Sequence, residues 1–308
     1  MEIFSTAVSQ VIIMFVFIIV GYILRKSGKF PDAASKILST ALVYVCMPCL
    51  SFSTQAKNMT INNLLSQGKT ILFGLIVLAV GYTAALGLSN IFGKTRFEKN
   101  VYLYSFTIPN LGYMGYPLVE AVFGTEALFH MMMFVLPMNI FIYTRGISML
   151  SPGAGKGIKG FITNPAIVSL FAGMIVGILG IKLPEIVDSI TSTASSCMAP
   201  IAMMMTGAVI AGKPLKEMLI GVKTYIASFL RLLVLPLAAL AIMVLLKVDS
   251  HILIVAVATL AMPLGLNTVV FPEAYGGDGS LGARLALVSH TLAVITIPIV
   301  FGLISVFI

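Results

Sequence analysis

Charged residues are scarce in this sequence. They make up 10% of the 308 residues, whereas hydrophobic residues make up 59%. A soluble globular domain carries about 25% charged residues. So few charges exclude an ordinary soluble protein, and the polar stretches are too short to fold by themselves outside a bilayer. The composition therefore predicts a polytopic integral membrane protein.

Cysteine is equally rare, and its three positions are Cys46, Cys49 and Cys197. Three cysteines in apolar surroundings do not predict a disulfide framework. Cys46 and Cys49 have the spacing of a redox motif, but they lie in an apolar run, where cysteine behaves as a small hydrophobic residue. We therefore predict no redox role.

Catalytic and nucleotide-binding motifs are missing as well. The sequence contains no zinc-binding helix motif and no nucleophile elbow. The stretch Gly155-Lys156-Gly157 lacks the earlier glycine and the following hydroxyl residue of a phosphate loop. We predict no enzyme, no catalytic residue, no resident cofactor and no metal site. Without a nucleotide-binding motif, any movement of a solute across the membrane would use the solute's own gradient or an ion gradient, and Na⁺ and H⁺ both remain open as the coupling ion.

Long apolar runs dominate what is present. A hydrocarbon layer about 30 Å thick needs about 20 apolar residues per helix. The predicted spans are 6–24, 36–54, 70–92, 101–123, 127–146, 164–181, 193–212, 220–246, 251–273 and 283–306. The sequence thus predicts an all-α protein with ten transmembrane helices, located in the cell membrane.

The net charge of +8 comes from basic residues that lie mainly on one side of these spans. Fourteen of the 19 lysines and arginines lie there. They are Arg25, Lys26, Lys29, Lys36, Lys94, Arg96, Lys99, Arg145, Lys156, Lys159, Lys213, Lys216, Lys223 and Arg284. The opposite side has Lys57, Lys69, Lys182 and Lys247. Basic loops face the cytoplasm, so both termini should be extracellular or periplasmic, and a nucleic-acid partner is not expected.

The two halves of the chain resemble each other. Gly21 and Gly28 recur as Gly173 and Gly180, Pro109 recurs as Pro263, and Glu120-Ala121 recurs as Glu273-Ala274, always at an offset of 152–154. A constant offset indicates an internal duplication. It divides the chain into 1–150 and 151–308, with five spans each. An odd number of spans gives the copies opposite orientation, as in the inverted repeats of secondary transporters.

Helices 4 and 9 are interrupted at matching positions. Helix 4 contains Pro109, Asn110 and Gly112, and helix 9 contains Pro263, Gly265, Asn267 and Thr268. Proline removes an amide donor and glycine lets the chain unwind, so the freed backbone groups must face protein, water or ligand. Paired interruptions predict a central binding site. We list these seven residues as substrate-binding candidates.

Two further residues lie inside predicted spans. Arg231 is about eleven residues into helix 8; it either belongs to the anion path, and is therefore the eighth candidate, or snorkels to the cytoplasmic interface. His290 in helix 10 is either a proton relay or a packed histidine.

The helix-4 stretch 110–118, Asn-Leu-Gly-Tyr-Met-Gly-Tyr-Pro-Leu, resembles a motif of the auxin efflux carrier family. Asn164-Pro165-Ala166 and the stretch 263–267, Pro-Leu-Gly-Leu-Asn, resemble its second half. The resemblance implies ten helices in two inverted five-helix repeats with a crossover like that of bile-acid sodium symporters, in the bile/arsenite/riboflavin transporter superfamily. It implies transport of small organic anions such as malonate, malate or auxin-like acids. By motif position, Asn110 and Asn267 would contact the carboxylate. The short central loop is typical of bacterial members.

Together these features predict a secondary active transporter of small organic anions that works by alternating access. A membrane sensor that binds ligand without turnover is the alternative. We expect the lipid bilayer and a small organic anion as partners, and leave a homodimer open.

The orientation can be tested by cysteine labelling in a variant without Cys46, Cys49 and Cys197. A membrane-impermeant maleimide should label a cysteine at position 4 in intact cells, because the basic loops hold the termini outside. A cysteine placed within 151–157 should react only after the membrane is opened. The reverse pattern would overturn the topology.

Overall fold

The computed structural model describes residues 2–151 and 163–307, and their side chains from residue 5 onward. The central loop with Lys156 and Lys159 lies outside the described residues. In the described part, helices are the only regular secondary structure, apart from one isolated antiparallel bridge between Pro109 and Leu264.

Fourteen helices follow one another in the described chain. The first half contains α1 (Glu2–Lys26), α2 (Ala34–Asn58), α3 (Ile61–Ser66), α4 (Gly68–Phe92), α5 (Arg96–Thr107), α6 (Leu111–Phe134) and α7 (Leu136–Leu150). The second half contains α8 (Pro165–Ile178), α9 (Glu185–Ala211), α10 (Leu215–Leu219), α11 (Val222–Leu245), α12 (Ser250–Ala261), α13 (Asn267–Tyr275) and α14 (Ser280–Ile304).

The helices confirm an all-α protein with several membrane spans. Six of those described, α1, α2, α4, α9, α11 and α14, are long and apolar enough to cross a bilayer. The pair α6–α7 passes together, with a bend of 50°, and α8 and α12 are shorter apolar helices. Ten spans in two inverted repeats remain a prediction.

Two predicted span boundaries do not coincide with helix ends in the structure. The predicted end of helix 4 at residue 123 falls inside α6, where Gly124 has a φ of +85° and interrupts the helical geometry. The predicted start of helix 7 at residue 193 is wrong, because α9 begins at Glu185. Its first turns carry Glu185 and Asp188, and these polar residues hid the start from a search for apolar runs.

Glycines allow the closest helix contacts. A methyl group on Gly21 of α1 would overlap the Met204 carbonyl oxygen of α9, and one on Gly207 of α9 would overlap the Ile18 carbonyl oxygen. At a second contact between the two halves, a methyl group on Gly173 of α8 would lie 2.5 Å from the Phe52 carbonyl oxygen of α2. Small residues let membrane helices approach closely enough for backbone packing.

The contacts of the charged side chains fall into two groups, one at each end of α4. Lys57 pairs with Asp188 at 2.7 Å and joins the end of α2 to the start of α9. Lys69 pairs with Asp249 at 4.0 Å and joins the start of α4 to the start of α12. At the other end of α4, Lys223 donates to the Ile91 and Phe92 carbonyls, both at 2.9 Å. The members of each group lie in loops predicted for the same side of the membrane.

The start of α5 belongs to the second group and is closed by a capping box. Thr95 accepts from the Glu98 amide, while the amides of Lys94 and Thr95 donate to the Glu98 carboxylate at 2.7 and 3.3 Å. Hydrogen bonds stabilise the ionised carboxylate. The bond from the Lys94 amide has the largest effect, and together with the bond from Thr95 it lowers the pKa of Glu98 below its ordinary value.

The α1–α9 contact should tolerate no methyl group. Gly207→Ala should destabilise the protein by about 1–3 kcal/mol, because the added atom overlaps backbone that cannot move alone. Gly87→Ala on α4 is the matched control: nothing lies within 4 Å of the added methyl group, and alanine favours helix by about 0.5–1 kcal/mol. Thermal unfolding in detergent should show a lower midpoint for the first variant only. Equal midpoints would contradict the packing argument.

Candidate functional site

The two interrupted helices meet at their breaks. The chain unwinds after α5 at residues 108–110 and after α12 at residues 262–266. Pro109 and Leu264 form the antiparallel bridge, and the Asn110 amide donates to the Pro263 carbonyl at 2.9 Å. A methyl group on Gly265 would lie 2.9 Å from the Ile108 carbonyl oxygen, so only glycine allows this approach. The prolines and glycines thus place four half-helix ends at one point.

Arg231 binds the two carboxyl-terminal ends. Its Nη1 donates to the Phe106 carbonyl at 3.0 Å and its Nε to the Met262 carbonyl at 3.4 Å. In continuous helices these carbonyls would accept from the amides four residues later; unwinding frees them. The carboxyl end of a helix also carries partial negative charge, which favours a cation. Arg231 therefore links both half-helix ends.

The environment of Arg231 excludes snorkelling, because the side chain is 0% exposed and bonds to backbone at the crossing. It is not among the residues that line the adjacent cavity. Its Nη2 has no hydrogen-bond partner among the described residues. Membership of Arg231 in the anion path remains a prediction.

A small cavity lies beside the crossing, at the amino-terminal ends of α6 and α13. The predicted residues that line it are Pro109, Asn110, Gly112, Gly265 and Asn267. The volume open to the centre of a water molecule is about 40 Å³, so the cavity can hold water. The cavity therefore brings five of the eight candidates together, from both halves of the chain.

The other three candidates lie beside the cavity without lining it. The Pro263 carbonyl accepts from the Asn110 amide, and Thr268 Oγ1 donates to the Gly265 carbonyl at 2.8 Å. Arg231 holds the opposite ends of the half-helices. All three support the geometry of the break.

Asn267 is held by two tyrosines. Its Oδ1 accepts from the Tyr113 hydroxyl at 3.0 Å, and its Nδ2 donates to the Tyr104 hydroxyl at 2.7 Å. Since a hydroxyl both donates and accepts, the same partners would serve the amide in either orientation.

Asn110 is held on one side only. Its Nδ2 lies 2.9 Å from His290 Nε2. Its Oδ1 is buried and has no hydrogen-bond partner among the described residues. A buried polar atom without a partner costs about 1–3 kcal/mol, so Oδ1 is an unsatisfied acceptor at this site.

Polar side chains from α2 and α7 complete the lining, and the search for breaks missed them. They include Ser51, Thr54 and Gln55 of α2 and Asn139 and Tyr143 of α7. Ser51 Oγ and the Tyr143 hydroxyl are 3.0 Å apart, and Gln55 Oε1 has no partner among the described residues. Polar residues inside apolar spans could have revealed them, because such residues are costly in a bilayer.

A second, wider space adjoins the cavity. Leu50, Gly112 and Tyr116 line both, and Glu120 lines the wider one only. Its volume open to the centre of a water molecule is about 380 Å³. We term this space the vestibule; it lies between α1, α2, α6 and α9.

Away from the vestibule, a hydrogen bond joins α2 to α13 beside a surface pocket that both partners line. Ser35 Oγ donates to the Glu273 carboxylate at 2.7 Å. Glu273 is the repeat equivalent of Glu120 by sequence offset, so one of the two equivalent carboxylates lines the vestibule and the other is hydrogen-bonded between two helices.

The described residues do not provide a ligand set for a metal ion in this region. No group of three or more histidine, cysteine or acidic side chains lies close enough to hold a metal ion in the described parts of the chain.

Removal of Arg231 should destabilise the crossing. Arg231→Ala leaves the Phe106 and Met262 carbonyls buried without a donor, at about 1–3 kcal/mol each. The control is Arg145→Ala, because Arg145 is exposed on α7. Thermal unfolding should show a loss for the first variant alone. Unchanged stability with lost carboxylate binding would place Arg231 in the ligand path instead.

Comparison with known proteins identifies the family of this chain. The sequence model of the family described as Membrane transport protein matches residues 6–160 and 154–301. An uncharacterized transporter of Methanocaldococcus jannaschii is 27% identical over 301 residues, which cover 94% of this chain and 96% of that protein. A protein of Rhizobium meliloti named "Putative malonate transporter" is 24% identical over 302 residues, which cover 91% of this chain and 90% of that protein.

These matches extend over almost the whole chain, including both interrupted helices. The chain therefore belongs to the membrane transport protein family, the family of the auxin efflux carriers that its helix-4 motif resembles.

Proposed function

We propose that the protein is a secondary transporter of small organic anions and that the carboxylate binds in the cavity at the crossing of the two breaks. The observation that carries this proposal is the convergence of Asn110 and Asn267 on one buried cavity, from the two halves of the chain. Family membership supports transport, and the geometry supports the place of binding.

The cavity offers a carboxylate hydrogen bonds without a fixed charge. The first amides of α6 have no acceptor within their own helix, and Gly112 of this turn lines the cavity. A helix amino terminus also favours an anion. Amide and hydroxyl side chains surround it. A neutral site of this kind avoids an unpaired charge in the membrane when it is empty.

The name of one relative supports a dicarboxylate as substrate. The Rhizobium meliloti protein matches this chain over almost its full length, and its printed name refers to malonate. We use malonate as the first probe and leave the identity of the natural substrate within the class of small carboxylates.

Alternating access accounts for the two ends of the crossing. The vestibule with Glu120 would be the entry from outside, and the Ser35–Glu273 contact would close the cytoplasmic side. Leu50, Gly112 and Tyr116 line both the cavity and the vestibule, so they would form the boundary that the substrate crosses during binding. Two inverted repeats, with both termini outside the cell membrane, would exchange these states.

Truncation of either asparagine should weaken binding. Loss of one hydrogen bond to a charged ligand costs about 1.5–3 kcal/mol, or roughly tenfold to a hundredfold in affinity. We expect this loss in malonate binding for Asn110→Ala and for Asn267→Ala. Asn90→Ala is the control, because Asn90 is exposed on α4 and bonds only to its own helix, to the Leu86 carbonyl.

Melting curves of the same variants separate misfolding from loss of the site. Normal malonate affinity in both folded variants would place the site elsewhere. Flux in proteoliposomes then distinguishes the two functions: malonate uptake marks a transporter, whereas binding without uptake under any ion gradient marks a sensor.

A further inference from the structure

We propose that His290 is a proton-binding site that controls the orientation of Asn110, so that a proton and a carboxylate bind together. This inference rests on the proposed function and assigns H⁺ as the coupling ion. It starts from the hydrogen bonds of His290, which lies in the middle of α14 with 2% of its surface exposed.

The neighbours of His290 define its tautomer. Nδ1 lies 2.8 Å from the Ala286 carbonyl oxygen. A carbonyl can only accept, so Nδ1 carries the hydrogen. In the neutral ring Nε2 is then an acceptor, and it lies 2.9 Å from Asn110 Nδ2. The histidine therefore determines the orientation of the Asn110 amide. Asn267 is under no such constraint, because its two hydroxyl partners can serve its amide in either orientation.

This orientation is unsuited to an anion. With Nδ2 bound to His290, the remaining polar atom of the Asn110 side chain is Oδ1, which is buried without a partner among the described residues. An amide oxygen is only an acceptor, and so is each oxygen of an ionised carboxylate. The neutral histidine thus keeps the acceptor Oδ1 in the buried position that the Nδ2 donors could otherwise occupy, and it leaves only the second N–H of Nδ2 for other partners.

Protonation of His290 reverses the arrangement. A proton from solvent binds to Nε2, which can then only donate. The Asn110 amide would turn by about 180° about its Cβ–Cγ bond, so that Oδ1 accepts from Nε2–H. Nδ2, with both of its N–H donors, then occupies the former position of Oδ1 and can donate to a carboxylate there. On release of the substrate the proton leaves Nε2, and the original bond forms again.

Charge compensation acts in the same direction. The elements packed against α14 are α1, α5, α9, α10, α11, α12 and α13. At the level of the crossing they present one charged group, Arg231, and one further titratable group, the Tyr104 hydroxyl bonded to Asn267. Their other charged residues lie within two turns of helix ends. No carboxylate of the described residues bonds to His290, so the substrate itself would supply the negative charge that a buried imidazolium needs.

Coupled binding of a proton and a carboxylate makes the carboxylate affinity depend on pH, and the slope of that dependence can be measured. If each bound carboxylate requires one additional proton, affinity falls by about tenfold per pH unit once His290 is no longer protonated in the free protein. The direction is a loss of affinity as pH rises, because the proton that turns the Asn110 donors toward the carboxylate and balances its charge is lost.

The experiment compares malonate affinity across pH for the full-length protein, His290→Gln and His251→Gln. Glutamine does not titrate, so His290→Gln should lose about one proton equivalent from the slope, while His251→Gln, at the start of α12, should keep it. Ionisation of malonate is common to all three and cancels. The same slope in His290→Gln as in the unaltered protein would overturn the proposal.

A second measurement does not depend on the variants. Calorimetric titration of the unaltered protein with malonate, in buffers of different ionisation enthalpy, counts the protons taken up on binding. We expect uptake of up to about one proton per malonate beyond that of the ligand itself. No extra uptake, with normal binding, would refute the coupling and leave the proposed function standing. No malonate or other small-carboxylate binding at any pH would refute both.

Discussion

Backbone groups that an unwound helix cannot satisfy are the constraint on which this structure depends. In hydrocarbon they must find partners in the protein, and two breaks double the number of groups. The structure solves this with one crossing: Asn110 donates across to Pro263, and Arg231 takes the carbonyls of Phe106 and Met262. The cation therefore occupies the negative ends of the half-helices, and the positive ends remain available to an anion.

The two halves use similar elements for different tasks. Asn110 lies just before α6, whereas Asn267 is the first residue of α13, so the two asparagines are not equivalent by sequence offset. The residue 154 positions before Asn267 is Tyr113, and these two residues are bonded to each other. A site built from non-equivalent positions needs only approximate symmetry, and this leaves one asparagine under the control of His290 while the other is held by hydroxyls.

The same asymmetry is visible at the ends of the crossing. Glu273 is bonded to Ser35, while Glu120 lines the vestibule next to the serines of α9. In our proposal this difference is what alternating access would exchange. The close glycine contacts of α1 with α9 and of α8 with α2 would provide the rigid body against which such a movement takes place, since backbone packing resists deformation.

The sequence alone determined the membrane class, the all-α fold, the grouping of charges and the two breaks, because these follow from composition, length and residues that locally disrupt a helix; it misplaced the start of α9, where polar residues precede the apolar run. It also named Asn110 and Asn267 from their positions beside the prolines. Only the tertiary structure decided what meets across the crossing: the Arg231 link, the polar lining from α2 and α7, and the bond between Asn110 and His290, 180 residues apart. Such contacts depend on how distant helices pack, and no local pattern records that.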